Sequence, residues 1–328
     1  MNRLYKMYEL EADKVNLPLK LDYFLIAANS DQRCYNSLSL LLDYNCNIEN
    51  IVLFDYQKLR PKPKDINGVI TPNLEILEEN YNNYKNFNPT VNHPCVKDDD
   101  DVNFMATMTL SENTQIGIDI TGFTVPDVFR ILYILKELKK IRSLYVYYTE
   151  PQHYIFKENI FNKYEHLLGE SIYKPVPEYF TVGSYERELL VFFLGFDLLR
   201  SNYIYEKALP DEVVVINGFP AYIPKLKDIS LLNNYSFLTA HVDNGHIFYT
   251  RANNPFSAYN TLCDIRGQFP DYLLNVCVLG TKPMALGACL FCLENKENVK
   301  VTYPYPQQYA PNTTQARTKS WCYIINFD

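Results

Sequence analysis

No stretch of this chain reaches the roughly 18 consecutive apolar residues of a membrane-spanning helix, so no helical membrane span is expected. The amino-terminal MNRLYKMYELEADK is charged and has no apolar core, which argues against a secretory leader. Positive charge is also in short supply: 31 Lys and Arg stand against 38 Asp and Glu, for a net charge of −7. That balance argues against bulk nucleic-acid binding or attachment to an anionic membrane, although a local basic pocket stays open. The signatures GxGxxG, GxxxxGK[ST], GxSxG and HExxH are all missing. The five His, at 93, 153, 166, 241 and 246, show no ligand spacing, and His241 and His246 flank an Asp-Asn-Gly turn that reads as a hairpin. Eight Cys are scattered, and Cys289-Leu-Phe-Cys292 has no second pair. They read as reduced thiols of a cytoplasmic protein, with no metal expected and no cofactor indicated.

What the chain does contain is a degenerate copy of part of itself. Gln115-IGIDITGFTVP leads through an apolar stretch to SLYVYYTEPQHY, and Asn275-VCVLGTKP leads through another to VKVTYPYPQQY. Each copy places Thr-x-Pro after an apolar strand (Thr124 and Pro126; Thr281 and Pro283). Each then places Tyr-x-x-Pro-Gln-x-Tyr further on (Tyr148 to Tyr154; Tyr303 to Tyr309). Pro126 to Tyr148 spans 22 residues and Pro283 to Tyr303 spans 20, room for one helix and one strand. The 28 Tyr and 19 Phe supply packing surfaces or base-stacking platforms.

Continuous apolar runs and turn residues predict strands over 21–28, 51–55, 104–109, 116–120, 143–148, 189–196, 213–217, 273–279, 299–303 and 321–327. Helices are predicted from Asp31 to about Asp43, and over 124–140, 197–206, 255–267 and 283–294. The terminal strand alternates, which suits an antiparallel edge. The fold class is therefore α/β: two related Rossmann-like halves with mainly parallel sheets, arising from an internal duplication. The halves are placed at 1–155 and 185–328. The stretch at about 60–101 reads as a polar insertion, with a possible helix in 73–84, and 155–187 as a connection carrying a short helix.

In open α/β sheets ligands sit beyond the carboxyl ends of the strands, which picks out five loops: 29–33, 119–124, Phe196-Asp197, 217–219 and 280–282. Gly280-Thr281-Lys282 is the strongest, since a hydroxyl and an ammonium at a helix start favour an anion. Gly287, one turn on, would let that helix approach the sheet. Thr121 and Gly122 hold the related position in the first copy, where Gly122 supplies either close approach or a positive φ. Asn217 ends another strand. Ser30 and Arg33 lie in the first loop, where Arg33 pairs with a phosphate or with Asp31. Asp119, Glu150 and Asp31 are the candidate acid–base groups, with a turn-capping role the alternative for Asp119. Glu150, Tyr154 and Tyr309 are candidates to line a pocket.

The segment LLNVCVLGTKPMALGACLF resembles the CRISPR-associated Rossmann-fold sensor domains of prokaryotic antiviral systems, most closely over Gly280–Phe291, with a looser echo at Asp119–Val125. The resemblance implies binding of cyclic oligonucleotides, usually across a homodimer, with Ser30, Thr121, Thr281 and Lys282 as phosphate or ribose contacts. This chain is longer than one such domain and has no recognisable nuclease or helix-turn-helix segment, so its two halves stand where a dimer would. The leading function is binding of a phosphate-bearing nucleotide or related metabolite. The alternatives are a nucleotide-processing hydrolase or transferase using Asp119 or Glu150, and a non-catalytic subunit that buries its Tyr-rich faces on a protein partner.

Overall fold

The computed structural model describes residues 6–12, 17–28, 31–55, 95–97, 104–105, 107–154, 167–179, 186–196, 198–309 and 314–327. The chain forms two compact units, each around its own sheet. Among the described residues no helix is long and apolar enough to cross a membrane.

The first sheet contains β1 (Lys6–Glu9), β2 (Lys20–Ala28), β3 (Asn47–Asp55), β4 (Cys95–Lys97), β5 (Ile116–Asp119), β6 (Ser143–Tyr154) and β13 (Thr314–Asn326), in the order β1-β13-β6-β5-β2-β3-β4. The strands from β4 to β6 are parallel throughout. Numbered by appearance, these five run third, second, first, fourth, fifth. The second sheet contains β7 (Leu167–Pro175), β8 (Glu188–Phe193), β9 (Glu212–Gly218), β10 (Ile247–Thr250), β11 (Leu273–Val278) and β12 (Val299–Tyr309), in the order β10-β9-β8-β11-β12-β7. From β10 to β12 all pairs are parallel, again third, second, first, fourth, fifth. Both units are thus doubly wound, and each changes winding direction between its first and fourth parallel strands.

The repeated sequence falls on the same piece of each unit. In the first it covers β5, helix α2 (Val125–Tyr133) and β6; in the second it covers β11, helix α7 (Lys282–Glu294) and β12. Thr124 and Asp127 cap α2 reciprocally: the Thr124 hydroxyl donates to the Asp127 carboxylate, and the Asp127 N–H donates back at 3.3 Å. A π-helical turn, Ile134–Leu138, continues α2. Thr281 caps α7. Pro283 through Leu293 are all buried, so α7 shows no amphipathic stripe. Its Gly287 serves a helix contact and not a sheet contact. A Cβ there would lie 2.0 Å from the Pro255 carbonyl oxygen, at the start of helix α6 (Pro255–Gln268).

The hydrophobic cores follow the strand runs. Leu21, Phe24, Ile26, Leu38, Leu41, Ile51 and Tyr147 cluster in the first unit, and Leu190, Phe192, Ile204, Val213, Val215 and Phe237 in the second. Each aliphatic or Phe side chain among these is worth about 1.5–3 kcal/mol when fully buried.

Several expectations are corrected. Residues 104, 105 and 107 are helical, not extended. The short Phe104–Thr109 run has the apolar content of either state, and its period does not decide between them. His241 closes helix α5 (Tyr235–His241), which follows helix α4 (Leu226–Asn233), and Asn244–His246 is a 3-10 turn leading into β10. β10 pairs parallel to β9, so no hairpin forms there. Both Tyr-x-x-Pro-Gln-x-Tyr segments lie inside β6 and β12, which run on past the expected strand ends at 148 and 303. In β6, Pro151 sits opposite Arg317 near a shift of register between Arg317 and Ser320, where a missing N–H is tolerated. The terminal strand β13 is antiparallel as read, but it is interior, with β1 covering its far side. Within the expected connection 155–187 lie β7 and a 3-10 turn at Pro177–Tyr179. Within the expected insertion, Cys95–Lys97 forms β4; the possible helix at 73–84 lies outside the described residues.

Candidate functional site

In the first unit the switch point lies between β2 and β5. Ser30 lies outside the described residues. Asp31 caps the 3-10 turn Gln32–Tyr35, which leads into helix α1 (Asn36–Asp43), by accepting the Arg33 N–H at 3.0 Å. Its carboxylate also accepts from Arg33 Nη2 at 2.5 Å and from the Thr314 hydroxyl at 2.8 Å. Burial pushes the Asp31 carboxyl up, but the Arg33 charge and these hydrogen bonds outweigh it and hold it below the ordinary carboxylate range. Arg33 is 8% exposed, and its Nη1 donates to the Thr149 carbonyl at 2.6 Å. Arg33 thus forms an ion pair with Asp31.

Asp119 ends β5 and is 0% exposed. One carboxylate oxygen accepts the Thr121 N–H at 2.8 Å and the other accepts the Ser37 hydroxyl. Burial nevertheless dominates and raises its pKa to about 6. The Thr121 hydroxyl accepts the Thr149 N–H at 3.0 Å, and the Thr149 hydroxyl meets Ser320 Oγ at 2.9 Å. Gly122 is required by close approach, not by a positive φ: a Cβ would sit 2.7 Å from the Ala27 carbonyl oxygen. Glu150 accepts from Trp321 Nε1 at 2.7 Å and from the Thr318 hydroxyl at 3.3 Å. Burial also raises the Tyr154 hydroxyl pKa, with Tyr148 reinforcing it. The polar residues here form a hydrogen-bonded buried network, and every residue from Ile116 to Phe129 is buried.

In the second unit the switch point lies between β8 and β11, and here the loops are partly exposed. A Cβ at Gly195 would lie 2.8 Å from the Leu279 carbonyl oxygen, so the loops after β8 and β11 touch. Ser230 and Asn234 donate to the Gly195 carbonyl at 2.8 and 3.2 Å, and Asn233 to that of Phe196 at 3.0 Å, anchoring the first of these loops. After β11, the Thr281 hydroxyl accepts the Met284 N–H at 3.4 Å and donates to the Ala252 carbonyl at 2.5 Å. The Tyr222 hydroxyl reaches the same carbonyl at 3.0 Å. Pro283 carries no N–H, so attraction for an anion at this helix start rests chiefly on the dipole and the Lys282 ammonium. Gly280 and Gly218 both lie against Met284, bringing the loops after β9 and β11 together. Asn217 closes β9 by accepting the Gly218 N–H at 2.9 Å and donating to the Lys227 carbonyl at 3.1 Å.

The structure thus brings Asn217, Gly280, Thr281 and Lys282 to one end of the second sheet, and Asp31, Arg33, Asp119, Thr121, Gly122 and Glu150 to one end of the first. Ala252 carries no sequence signature, because it contributes only a backbone carbonyl, and Tyr222 and Asn234 stand in no motif. A further group escaped the spacing of the histidines. Ligating atoms of Glu212, Asp243 and His246 lie within 4.8 Å of one another, at the amino-terminal end of β9. His246 Nδ1 is 3.9 Å from Glu212.

No protein-family model matches the chain, and no curated protein resembles it closely enough to register. Among solved structures, the chain is similar to a type III CRISPR defence DNA nuclease activated by cyclic oligoadenylate, with a TM-score of 0.53 and 9% identity. The match covers 87% of this chain but 65% of the nuclease, so the chain spans about two thirds of that protein's length. At this identity the likeness is one of fold. A universal stress protein from Archaeoglobus fulgidus DSM 4304 aligns at 14% identity over 89% of this chain and 98% of its own. Its TM-score of 0.25 is too low to bear on fold or function.

Proposed function

We propose that this chain is a nucleotide sensor whose second unit holds a phosphate-bearing ligand over the carboxyl ends of β8, β9 and β11. The observation that carries this reading is the placement of Gly280, Thr281 and Lys282 at the switch point, partly exposed and beside the loop after β9. Cyclic oligoadenylate is the ligand class to test first. The nuclease of similar fold is activated by it, and the Gly280–Phe291 resemblance points the same way. The two units share one strand order and carry the repeated sequence on the same piece of each, as a duplicated sensor domain would. The output is conformational or passes through a protein partner in antiviral defence.

Catalysis by Asp119 or Glu150 is disfavoured by their surroundings. Both oxygens of each carboxylate are already engaged inside the first unit, and both residues are buried. They hold the fold of that unit.

The test is a thermal-unfolding screen of the purified chain against cyclic oligoadenylates of different ring size, linear nucleotides and dinucleotides. A ligand at 100 times its dissociation constant adds about 2.7 kcal/mol of stability, a rise of several degrees in the midpoint. Stabilisation by a cyclic oligoadenylate is the expected outcome. No shift with any compound in a well-folded sample overturns the reading.

A further inference from the structure

Phe219 and Tyr249 are 53% and 47% exposed, in a unit whose other Phe residues on β8 and α7 are buried. Their ring centroids lie 6.3 Å apart, edge to face. Neither position is incidental. Phe219 follows the last residue of β9, and its N–H donates to the Thr250 carbonyl at 2.6 Å. Tyr249 lies on β10 in register with Asn217. The Lys227 ammonium sits 5.2 Å above the Phe219 ring. It is carried there by the first turn of α4, whose Lys227 carbonyl accepts from Asn217, and it also pairs with Asp228 at 3.2 Å. The preceding residue, Gly218, packs on Met284 of α7, which also lies against Gly280. Phe219 therefore directly follows the residue that packs on Met284, and Tyr249 lies near the carboxyl end of β10, the end of the sheet from which the loop carrying Lys282 also emerges.

From these contacts we propose that Phe219 and Tyr249 form a stacking surface for a base of the nucleotide, with Lys227 neutralising the adjoining phosphate. This rests on the nucleotide reading above and assigns it a base subsite. An exposed aromatic face gains by covering itself with another π-system. A base does so without regard to its hydrogen-bonding edge, and a cation at the rim suits the attached phosphate. An aliphatic or purely anionic metabolite would use Lys282 and Lys227 but leave the rings uncovered.

The experiment uses the full chain and two probes: a cyclic oligoadenylate with one adenine replaced by 2-aminopurine, and the same ring with one base removed. The expected result is quenching of 2-aminopurine fluorescence on binding. Phe219→Ala should then weaken the base-bearing ring about ten-fold or more and abolish the quenching, while Phe219→Trp restores both. Phe219→Ala should change the affinity of the ring lacking the base much less. Because the side chain is exposed, the variant keeps its fold, which circular dichroism checks. If Phe219→Ala and Tyr249→Ala both bind and quench like the unaltered chain, the stacking surface is overturned while nucleotide binding stands. If the unaltered chain binds neither ring, both proposals fall.

Discussion

Arg33 Nη1 donates to the backbone carbonyl of Thr149 at 2.6 Å, tying the turn after β2 to the outer half of β6. The same guanidinium is held by Asp31 on its other edge. Removing the cation leaves a partly buried carboxylate without its charged partner and the Thr149 carbonyl without the guanidinium donor. Arg33→Met is therefore expected to destabilise the chain by about 3 kcal/mol or more, read as a lower urea midpoint at unchanged slope. A loss under about 1 kcal/mol would mean the pair behaves like a surface ion pair.

Asp119 makes stability depend on pH in an unusual direction. Its folded pKa of about 6 is raised above the ordinary carboxylate value. The native state thus keeps a proton that the unfolded chain gives up, and this contribution is complete below about pH 4 and lost as pH rises through 6. Asp31 runs the other way: its depressed pKa contributes stability above the ordinary carboxylate value that is lost as pH falls. Comparing melting midpoints of the unaltered chain and Asp119→Asn between pH 4 and 8 isolates the first effect. The asparagine variant is expected to gain relative to the parent as pH rises, by on the order of 2–3 kcal/mol at neutral pH. Parallel curves would show that Asp119 titrates normally.

Two glycines mark close approaches of backbone. Gly122→Ala would press a methyl group to 2.7 Å from the Ala27 carbonyl and 2.9 Å from Cys34 Sγ, and Gly287→Ala to 2.0 Å from the Pro255 carbonyl. Since backbone must give way in each case, a loss of about 1–3 kcal/mol is expected at Gly122 and a larger one at Gly287. Equal stability of Gly287→Ala and the parent would contradict the packing of α7 on α6.

The parallel strands that were legible in the sequence are those with unbroken apolar runs, such as Leu189–Phe193 and Val213–Ile216, because both faces of a parallel sheet are covered. β10 was missed because Ile247–Thr250 is short and half exposed. β1 and the inner place of β13 were missed because pairing between residues over 300 positions apart leaves no local trace. The loops around Gly280 and Thr121 were legible from cap chemistry. That the first is open and the second buried was not, since burial depends on what packs from elsewhere. Phe219 and Tyr249 were indistinguishable from the many core aromatics until their exposure was known.

Thiol reactivity separates the cysteines. Cys263 is exposed, whereas Cys34, Cys46, Cys277, Cys289, Cys292 and Cys322 are buried. Burial raises Cys322 to about 12 and also pushes Cys277 and Cys292 well above the ordinary thiol value, so little thiolate exists at neutral pH. Brief alkylation of the native protein followed by peptide mass spectrometry should therefore label Cys263 first among these, with the buried thiols labelled only in denaturant. Early labelling of Cys289 or Cys292 would contradict the burial of α7.

The central claim is that the open end of the second sheet binds a nucleotide through Lys282. Its most direct test is calorimetric titration of the chain and of Lys282→Ala with the cyclic oligoadenylate that stabilises the parent most. The account predicts saturable binding by the parent and a loss of about ten-fold or more in the variant, with a native circular-dichroism spectrum retained. Equal affinity in the two proteins would place the ligand elsewhere and contradict the site.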